Sequence, residues 1–534
     1  MKKVYVYKNN IDQEVLSLSS IEKKEIDNLA MTISIQMHEN FSYMSYKKID
    51  ISSTLQIEFY YLIKRLLTMH ALSEKIIKDE RSRIFLVLEE LSDIKLLDYF
   101  TKNKEVKFQY KKKDFFSLKP WIKQNHLEGI FKIILSTKSV IKNRQKYNNE
   151  KQKIVAFYEI NNNSMINILN TVIKGKDNFM AFYNNEKLRG RIKVSSNNIH
   201  SFLSFIDIFS IWDRSKRTPY KLFEKNILKS INQFDLDKAV KHKFKKEVRK
   251  IYLFLYSSLL LEAQALERML IKSEAKGIVL SSDSHKTSRL LVLIGNYLKI
   301  NSLVLQHGTV GKLAFTPIMS NYFAAWGEIP KKQLISFGEN EKKIITTGNV
   351  ILTKPLDLKV IDKLNLKILV ATNPIGKENL IEFIELITKS ISNITTPYQL
   401  KVRLHPGEDN KDIVIDSLMQ SGTNYCIDDS KDIRTSIEWS DIVLVSNSTV
   451  GIEALFHKRF LIVIDLGEKV PMFIPYSEYN AAPIVNNDNE LYCEIINFIK
   501  GNVQYNGTRL VEDYLGGNNN RNALKEINNI LDKF

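Results

Sequence analysis

Two short stretches bring together side chains suited to holding a phosphate. His405-Pro406-Gly407 closes the segment YQLKVRLHPGE, and Ser446-Asn447-Ser448-Thr449 closes SDIVLVSNST. They offer an imidazole, three hydroxyls and an amide. With Ser448 or Thr449 as N-cap, the helix that follows adds backbone N–H groups that favour an anion. Two further clusters stand in the first half of the chain: Ser281-Ser282-Asp283 with His285 just beyond it, and Gln306-His307-Gly308-Thr309.

Each cluster sits where the pattern places the end of a strand. Leu400, Val402 and Leu404 alternate with polar residues before His405, and Ile442 to Val445 is unbroken apolar sequence before Ser446. LKILVAT, the short NYCIDD and FLIVIDL add strands. Helices are expected at Lys377 to Ser390, Lys411 to Met419, Ile433 to Ser440 and Val450 to Phe456, so this half reads as a parallel doubly wound sheet, whose ligands sit at the strand ends. Closing helices are expected in LYCEIINFIKG and RNALKEINNILDKF. In the first half, strand Ile278 to Leu280, a helix from Arg289 through Tyr297 and strand Ser302 to Leu305 form one βαβ unit. MKKVYVYK, RIFLVLEE, VKFQYKK, KIVAFYEI and NFMAFYNN are strand candidates of an irregular α/β region. From about 199 to 274 the pattern is helical, and HKFKKEVRKIYLFLYSSLLLEAQALERML has no Gly or Pro to break it. Gly348-Asn349 and Pro355 mark a linker, giving domains 1–347 and 348–534.

A chain of 534 residues exceeds one ordinary core. Two cysteines, Cys426 and Cys493, make no disulfide framework and fit a reducing cytosol. MKKVYVYKNN lacks the apolar core of a secretory signal, and no apolar run reaches the roughly 18 residues of a spanning helix. The net charge of +18 is uneven. Lys and Arg outnumber Asp and Glu by 59 to 35 before Thr346, and are outnumbered by 25 to 19 from there on. A basic first half attracts polyanions, either nucleic acid or an anionic membrane surface, or else is a lysine-rich solvated surface with no such partner. No RNA-binding or helix-turn-helix signature accompanies the charge, so nucleic acid is not expected. The lysine-and-aromatic run KFQYKKKDFFSLKPW reads either as a headgroup contact or as a solvated strand end.

The order of these pieces resembles the glycosyltransferases of the GT-B fold. A strand ending in QHG, a WGE…GENEKKIITTGN passage, a strand-HP loop and then D-strand-SNST-helix are similar to enzymes of bacterial surface glycans. Those are capsule polysaccharide synthesis proteins, CDP-glycerol glycerophosphotransferases, and HP-motif sialyl- and Kdo-transferases. The resemblance covers 277 to about 485. It implies two Rossmann-like doubly wound domains facing a cleft, with a helical insertion in the first.

The resemblance also implies that His405 and Pro406 with Ser446, Asn447, Ser448 and Thr449 hold the donor's phosphate, where a charged imidazole and helix N–H groups stabilise the leaving group without a metal or cofactor. Glu453 resembles the acid placed under the donor's ribose or sugar hydroxyls. Arg403 shares a strand face with His405 and either adds a bidentate donor or pairs with a carboxylate such as Glu408. The acceptor hydroxyl needs a base from the first domain. His307, in a His-Gly-Thr passage like that of the teichoic acid enzymes, competes with Asp283, which could instead orient His285 or His307. Gln306, Gly308, Thr309 and His285 are expected on the acceptor side. Glu128-Gly129 matches poorly the acid-Gly pair of the sialyltransferases.

The expected activity is therefore transfer from a CMP-, CDP- or UDP-linked donor to a glycan or lipid-linked acceptor, in the cytoplasm or at the inner face of the cell membrane. A UDP-N-acetylglucosamine 2-epimerase-like enzyme and a non-catalytic binding protein are the alternatives. There is no DxD flanked by strands of the metal-dependent GT-A type and no P-loop, GxSxG or GxGxxG motif, and Asp428-Asp429 reads as a solvated loop.

Overall fold

The computed structural model describes residues 4–8, 12–16, 18–40, 42–78, 84–88, 97, 99–101, 106–110, 153–160, 162–203, 218–357, 365–405, 411–430, 432–467, 470–517 and 522–534. Pro406, Glu408, Glu128-Gly129 and the lysine-aromatic run beyond Tyr110 lie outside them. The chain opens with β1 (Val4–Lys8) and β2 (Asp12–Leu16), and passes a ribbon of β3 (Ser45–Tyr46) and β4 (Ile49–Asp50). It then adds β5 (Ile84–Leu88) and β6 (Val106–Tyr110) to the first two, in the order β2-β1-β5-β6.

A second, wholly parallel sheet holds β7 (Ile154–Tyr158), β8 (Phe179–Tyr183), β9 (Ser196–Asn198), β10 (Gly277–Leu280), β11 (Asn301–Leu305), β12 (Tyr322–Ala325) and β13 (Ile344–Thr346). Its order is β13-β12-β11-β10-β7-β8-β9. A third holds β14 (Leu366–Ala371), β15 (Tyr398–Arg403), β16 (Cys426–Ile427), β17 (Ile442–Val445), β18 (Phe460–Ile464) and β19 (Ile484–Val485), parallel in the order β16-β15-β14-β17-β18-β19.

In both parallel sheets the chain starts at the centre, runs to one edge, returns, and runs to the other. That is the doubly wound course, with switch points between β7 and β10 and between β14 and β17. Two such domains make a Rossmann-like GT-B fold. Both central runs are apolar because both faces are covered: every residue of β10 and β17 is buried. The strands of the opening region form elsewhere than a single sheet would suggest, since β1, β5 and β6 pair apart from β7 and β8. Alternation identifies a strand, and long-range pairing decides its sheet.

The helical stretch is likewise divided. Helix Lys238–Lys250 widens into π-helical turns over Ile251–Tyr256, then continues as helix Ser257–Lys272. Leu, Ala and Met around the whole circumference of the last part sink it into the core, beneath helices that cover one face of the second sheet. No helix among the described residues is long and apolar enough to cross a membrane.

The other face of that sheet is covered from the far end of the chain. Helix Ala523–Leu531 puts Ile527, Ile530 and Leu531 against Ile154, Tyr158, Val279 and Leu303. Gly277 has no room for a side chain because the Phe534 ring occupies that space. A separate cluster joins the two parallel sheets: Trp326 and Ile329 pack with Leu352, Val445, Ile452, Leu510 and Tyr514. Ile527→Ala should therefore lower stability by about 2–5 kcal/mol, as core truncations do. A urea midpoint that falls with an unchanged slope would show it; an unmoved midpoint would mean that the tail helix is not part of the first domain's core.

Candidate functional site

At the switch point of the third sheet, β14 ends in Thr372 and Asn373, between the loops that leave β15 and β17. Strands two positions apart are separated by roughly 10 Å, and these two residues tie the flanking loops across that gap. Thr372 Oγ1 accepts the His405 backbone N–H at 3.0 Å, and Asn373 Nδ2 donates to the Asn447 carbonyl. Neither was singled out in the sequence, although a polar Thr-Asn-Pro at the end of a central strand is a usable signal. Ser446 and Ser448 are buried, and Asn447 and Thr449 are half-buried. Ser448 is the N-cap: its Oγ accepts from Val450 N at 3.3 Å, starting helix Thr449–Phe456. That helix can start so deep because residue 451 is glycine. A Cβ there would lie 2.2 Å from the Tyr476 hydroxyl.

Arg403 is occupied elsewhere. Its Nη1 donates to Asp428 Oδ2 at 2.7 Å, to the Ser430 carbonyl at 2.9 Å and to Ser436 Oγ at 3.1 Å. The carboxylate partner is thus Asp428, and Glu408 lies outside the described residues. Asp428 corrects the expectation of a solvated loop: its side chain is 2 % exposed. Burial alone would push its pKa up, but bonds from Ser430, Ser436 and Arg403 outweigh it and hold the carboxyl at about 2. Glu453 is shifted the other way, to about 7, by burial first and then by Asp432, against the pull of Arg403. A carboxyl raised towards neutrality can donate as well as accept, which suits contact with hydroxyl groups.

In the second sheet, the ends of β7, β10 and β11 meet. Asp283 Oδ2 accepts from Met319 N and Ser320 N, both at 2.9 Å, while Arg289 Nε holds its carbonyl at 2.9 Å. Its carboxylate therefore anchors the 318–320 loop rather than orienting His285 or His307. Gln306 is corrected from acceptor contact to clamp. Buried, it donates from Nε2 to the Gly308 carbonyl at 2.8 Å and accepts Trp326 N at 2.8 Å on Oε1. The Trp326 indole N–H returns to the Gln306 carbonyl at 3.0 Å.

His307 is stacked on Phe315 with ring centroids 4.8 Å apart, and its carbonyl accepts from Ser164 Oγ at 3.0 Å. Burial, then the nearby His285, lower its pKa to about 4 against a hydrogen bond with the Ser281 backbone. At neutral pH the ring is uncharged, and its Nδ1 is buried with no hydrogen-bond partner among the described residues. His285 is the N-cap residue of helix Lys286–Tyr297 but makes no side-chain cap bond. Glu159, at the end of β7, does that work instead. Its two carboxylate oxygens accept from Thr287 N at 3.0 Å and Ser288 N at 2.7 Å. No sequence motif marks Glu159, because the helix start it caps is 128 residues away.

The two switch points face each other. A Cβ built on Gly308 would meet Thr449 Cγ2 at 3.9 Å, which puts the His307-Gly308-Thr309 turn directly against the start of helix Thr449–Phe456. Among the described residues no group of three or more His, Cys, Asp or Glu is placed to hold a metal ion.

No protein-family model and no curated protein matches this sequence. Solved structures do follow its course. The UDP-GlcNAc 2-epimerase of Methanocaldococcus jannaschii aligns at 15% identity and a TM-score of 0.46, covering 72% of this chain and 100% of its own. The Neisseria meningitidis UDP-GlcNAc 2-epimerase bound to UDP-GlcNAc aligns at 14% and 0.44, with 72% and 100% covered. Acinetobacter baumannii MurG aligns at 10% and 0.40, again with 72% and 100% covered. The fold assignment rests on the strand order of the two parallel sheets and not on these matches.

Gly451→Ala should unseat the start of helix Thr449–Phe456 and lower the melting temperature, and adding Tyr476→Phe should restore part of the loss by removing the clashing hydroxyl. An unchanged melting temperature in the single variant would show that this helix start is not held by the close approach at residue 451.

Proposed function

We propose that the protein is a GT-B transferase that moves a glycosyl or glycerophosphoryl unit from a CMP-, CDP- or UDP-linked donor to a glycan or lipid-linked acceptor. It would work at the cytoplasmic face of the cell membrane and use no metal. The observation that carries this reading is the meeting of two unlike loops, His307-Gly308-Thr309 against the Ser448 helix start. One loop holds a neutral imidazole whose buried Nδ1 has no hydrogen-bond partner among the described residues. The other opens a helix capped by one neutral hydroxyl, where phosphate charge is stabilised by N–H groups.

The contrast between the two helix starts supports the direction of the assignment. In the first domain the Glu159 carboxylate fills the helix N-terminus, so a phosphate there would be repelled. In the second, Ser448 leaves that field for a ligand. The donor's phosphate then lies along Ser446 to Thr449 with His405 beside it, and Glu453 serves its hydroxyl groups. The acceptor hydroxyl loses its proton to His307 as it attacks the donor. The new bond forms at the transferred unit, and the nucleotide leaves with the electron pair of the broken bond. Asp283, tied to backbone N–H groups, is not given the base role.

A panel of CMP-, CDP-, UDP- and GDP-activated donors tests the reading by nucleotide release. His405→Ala should lower turnover more than about tenfold, and failure of every donor to release nucleotide or bind, with any acceptor, would overturn the proposal. Interconversion of UDP-GlcNAc without an acceptor would favour the epimerase; nucleotide binding without turnover would favour the binding protein. For His307, kcat/KM should show a limb that falls as pH drops through about 4, separate from any change Glu453 causes near 7, because protonation then removes the accepting nitrogen. His307→Gln should abolish turnover and leave nucleotide affinity unchanged; an acid limb that survives this change belongs to another group.

A further inference from the structure

Helix Tyr220–Ile231 and helix Lys238–Lys250 form a hairpin that belongs to neither parallel sheet. From Tyr220 to Lys250 the sequence has ten Lys and Arg against four Asp and Glu. Folding sorts these charges sharply. Val240, Phe244 and Val248 enter the core, and Glu247 is buried with them, so the second helix's one acid lies on its inner side. Among the described residues, the exposed positions of that helix are Lys238, His242, Lys245, Lys246 and Arg249, with no acid among them.

On the first helix Phe223, Ile227 and Ile231 enter the same core, while Lys221, Lys225 and Lys229 are exposed one turn apart. Leu222 stands among them, 48 % exposed. Glu224 is half-buried and accepts from the Tyr220 hydroxyl at 3.2 Å. The connecting turn holds two exposed acids, Asp235 and Asp237, of which Asp237 caps Ala239 N at 2.6 Å and lies 3.4 Å from His70 Nε2. Two helices that bury their apolar sides in one core turn their charged sides outward together.

We infer that this hairpin is the surface through which the protein docks on anionic lipid headgroups, with Lys and Arg meeting the phosphates and Leu222 entering the interface. A row of cations with an apolar side chain among them fits a flat anionic surface. A single-stranded nucleic acid would want open aromatic faces to stack on, whereas the ring beside these cations, the half-buried Tyr99, is already stacked on His242 with Lys243 and Lys246 over it. The inference deepens the membrane placement proposed above and rests on it, but not on the transfer chemistry.

The test is sedimentation of the full chain with vesicles of phosphatidylcholine alone and of phosphatidylcholine mixed with phosphatidylglycerol, at low and high salt. The expected result is binding to the anionic vesicles, released by salt. The triple variant Lys238→Gln, Lys245→Gln, Arg249→Gln should weaken it about a hundredfold, at roughly fivefold per charge. The variant Lys221→Gln, Lys225→Gln, Lys229→Gln should do the same from the other helix, so that misfolding of one does not decide the matter. Melting temperature and nucleotide affinity should be unchanged in both. Wild-type protein that ignores anionic vesicles would overturn the membrane placement together with this surface. Binding that both variants retain would overturn the surface alone, and tighter binding to RNA or duplex DNA than to vesicles would overturn the choice of lipid.

Discussion

The Gln306–Trp326 clamp is the contact on which the site depends. One buried amide joins the Gly308 carbonyl to the Trp326 backbone, and the Trp326 indole closes the ring on the Gln306 carbonyl. Trp326 then lies in the apolar cluster shared by both parallel sheets, with its ring 6.5 Å from that of Tyr514. Gly327 and Gly516 mark how closely the chains approach there, since a Cβ on either would fall within 2.6 Å of backbone across the contact. The His307 turn is thus positioned by the same packing that positions helix Thr449–Phe456. Unpaired, each of these buried polar groups would cost about 1–3 kcal/mol, so the turn is held by necessity as well as by fit.

The two domains share one winding pattern and use it differently. Each has a helix beginning just past its switch point, and each helix start carries a partial positive charge. In the first domain Glu159 neutralises it from a neighbouring strand. In the second a neutral serine caps it. A single carboxylate therefore breaks the near-symmetry of the fold and leaves one anion-favouring end on the shared face.

Burial sets the protonation states around that face in opposite senses. His307 is lowered and stays neutral, Glu453 is raised towards neutrality, and Asp428 stays ionised because hydrogen bonds outweigh its burial. The same low-dielectric environment thus yields a candidate base, a hydroxyl-binding carboxyl and a structural anion, according to the partners each finds. Arg403 belongs to the last of these. Its Nη1 ties the end of β15 to Asp428, Ser430 and Ser436.

Much of this architecture was legible in the sequence, because strand ends and helix caps are local. Apolar runs of four to six residues, punctuated by His-Pro or Ser-Asn-Ser-Thr, announce their own boundaries, and Ser448 as N-cap follows from its chemistry. The basic character of the first half was equally plain. Tertiary structure alone decided which polar residues were structural. Asp283, Gln306 and Arg403 look available as letters, yet their partners lie 36, 20 and 25 residues away. Glu159, Trp326 and the tail helix gain their meaning from contacts that no local pattern encodes. Residue type sets what a side chain can do, and the fold decides what it meets.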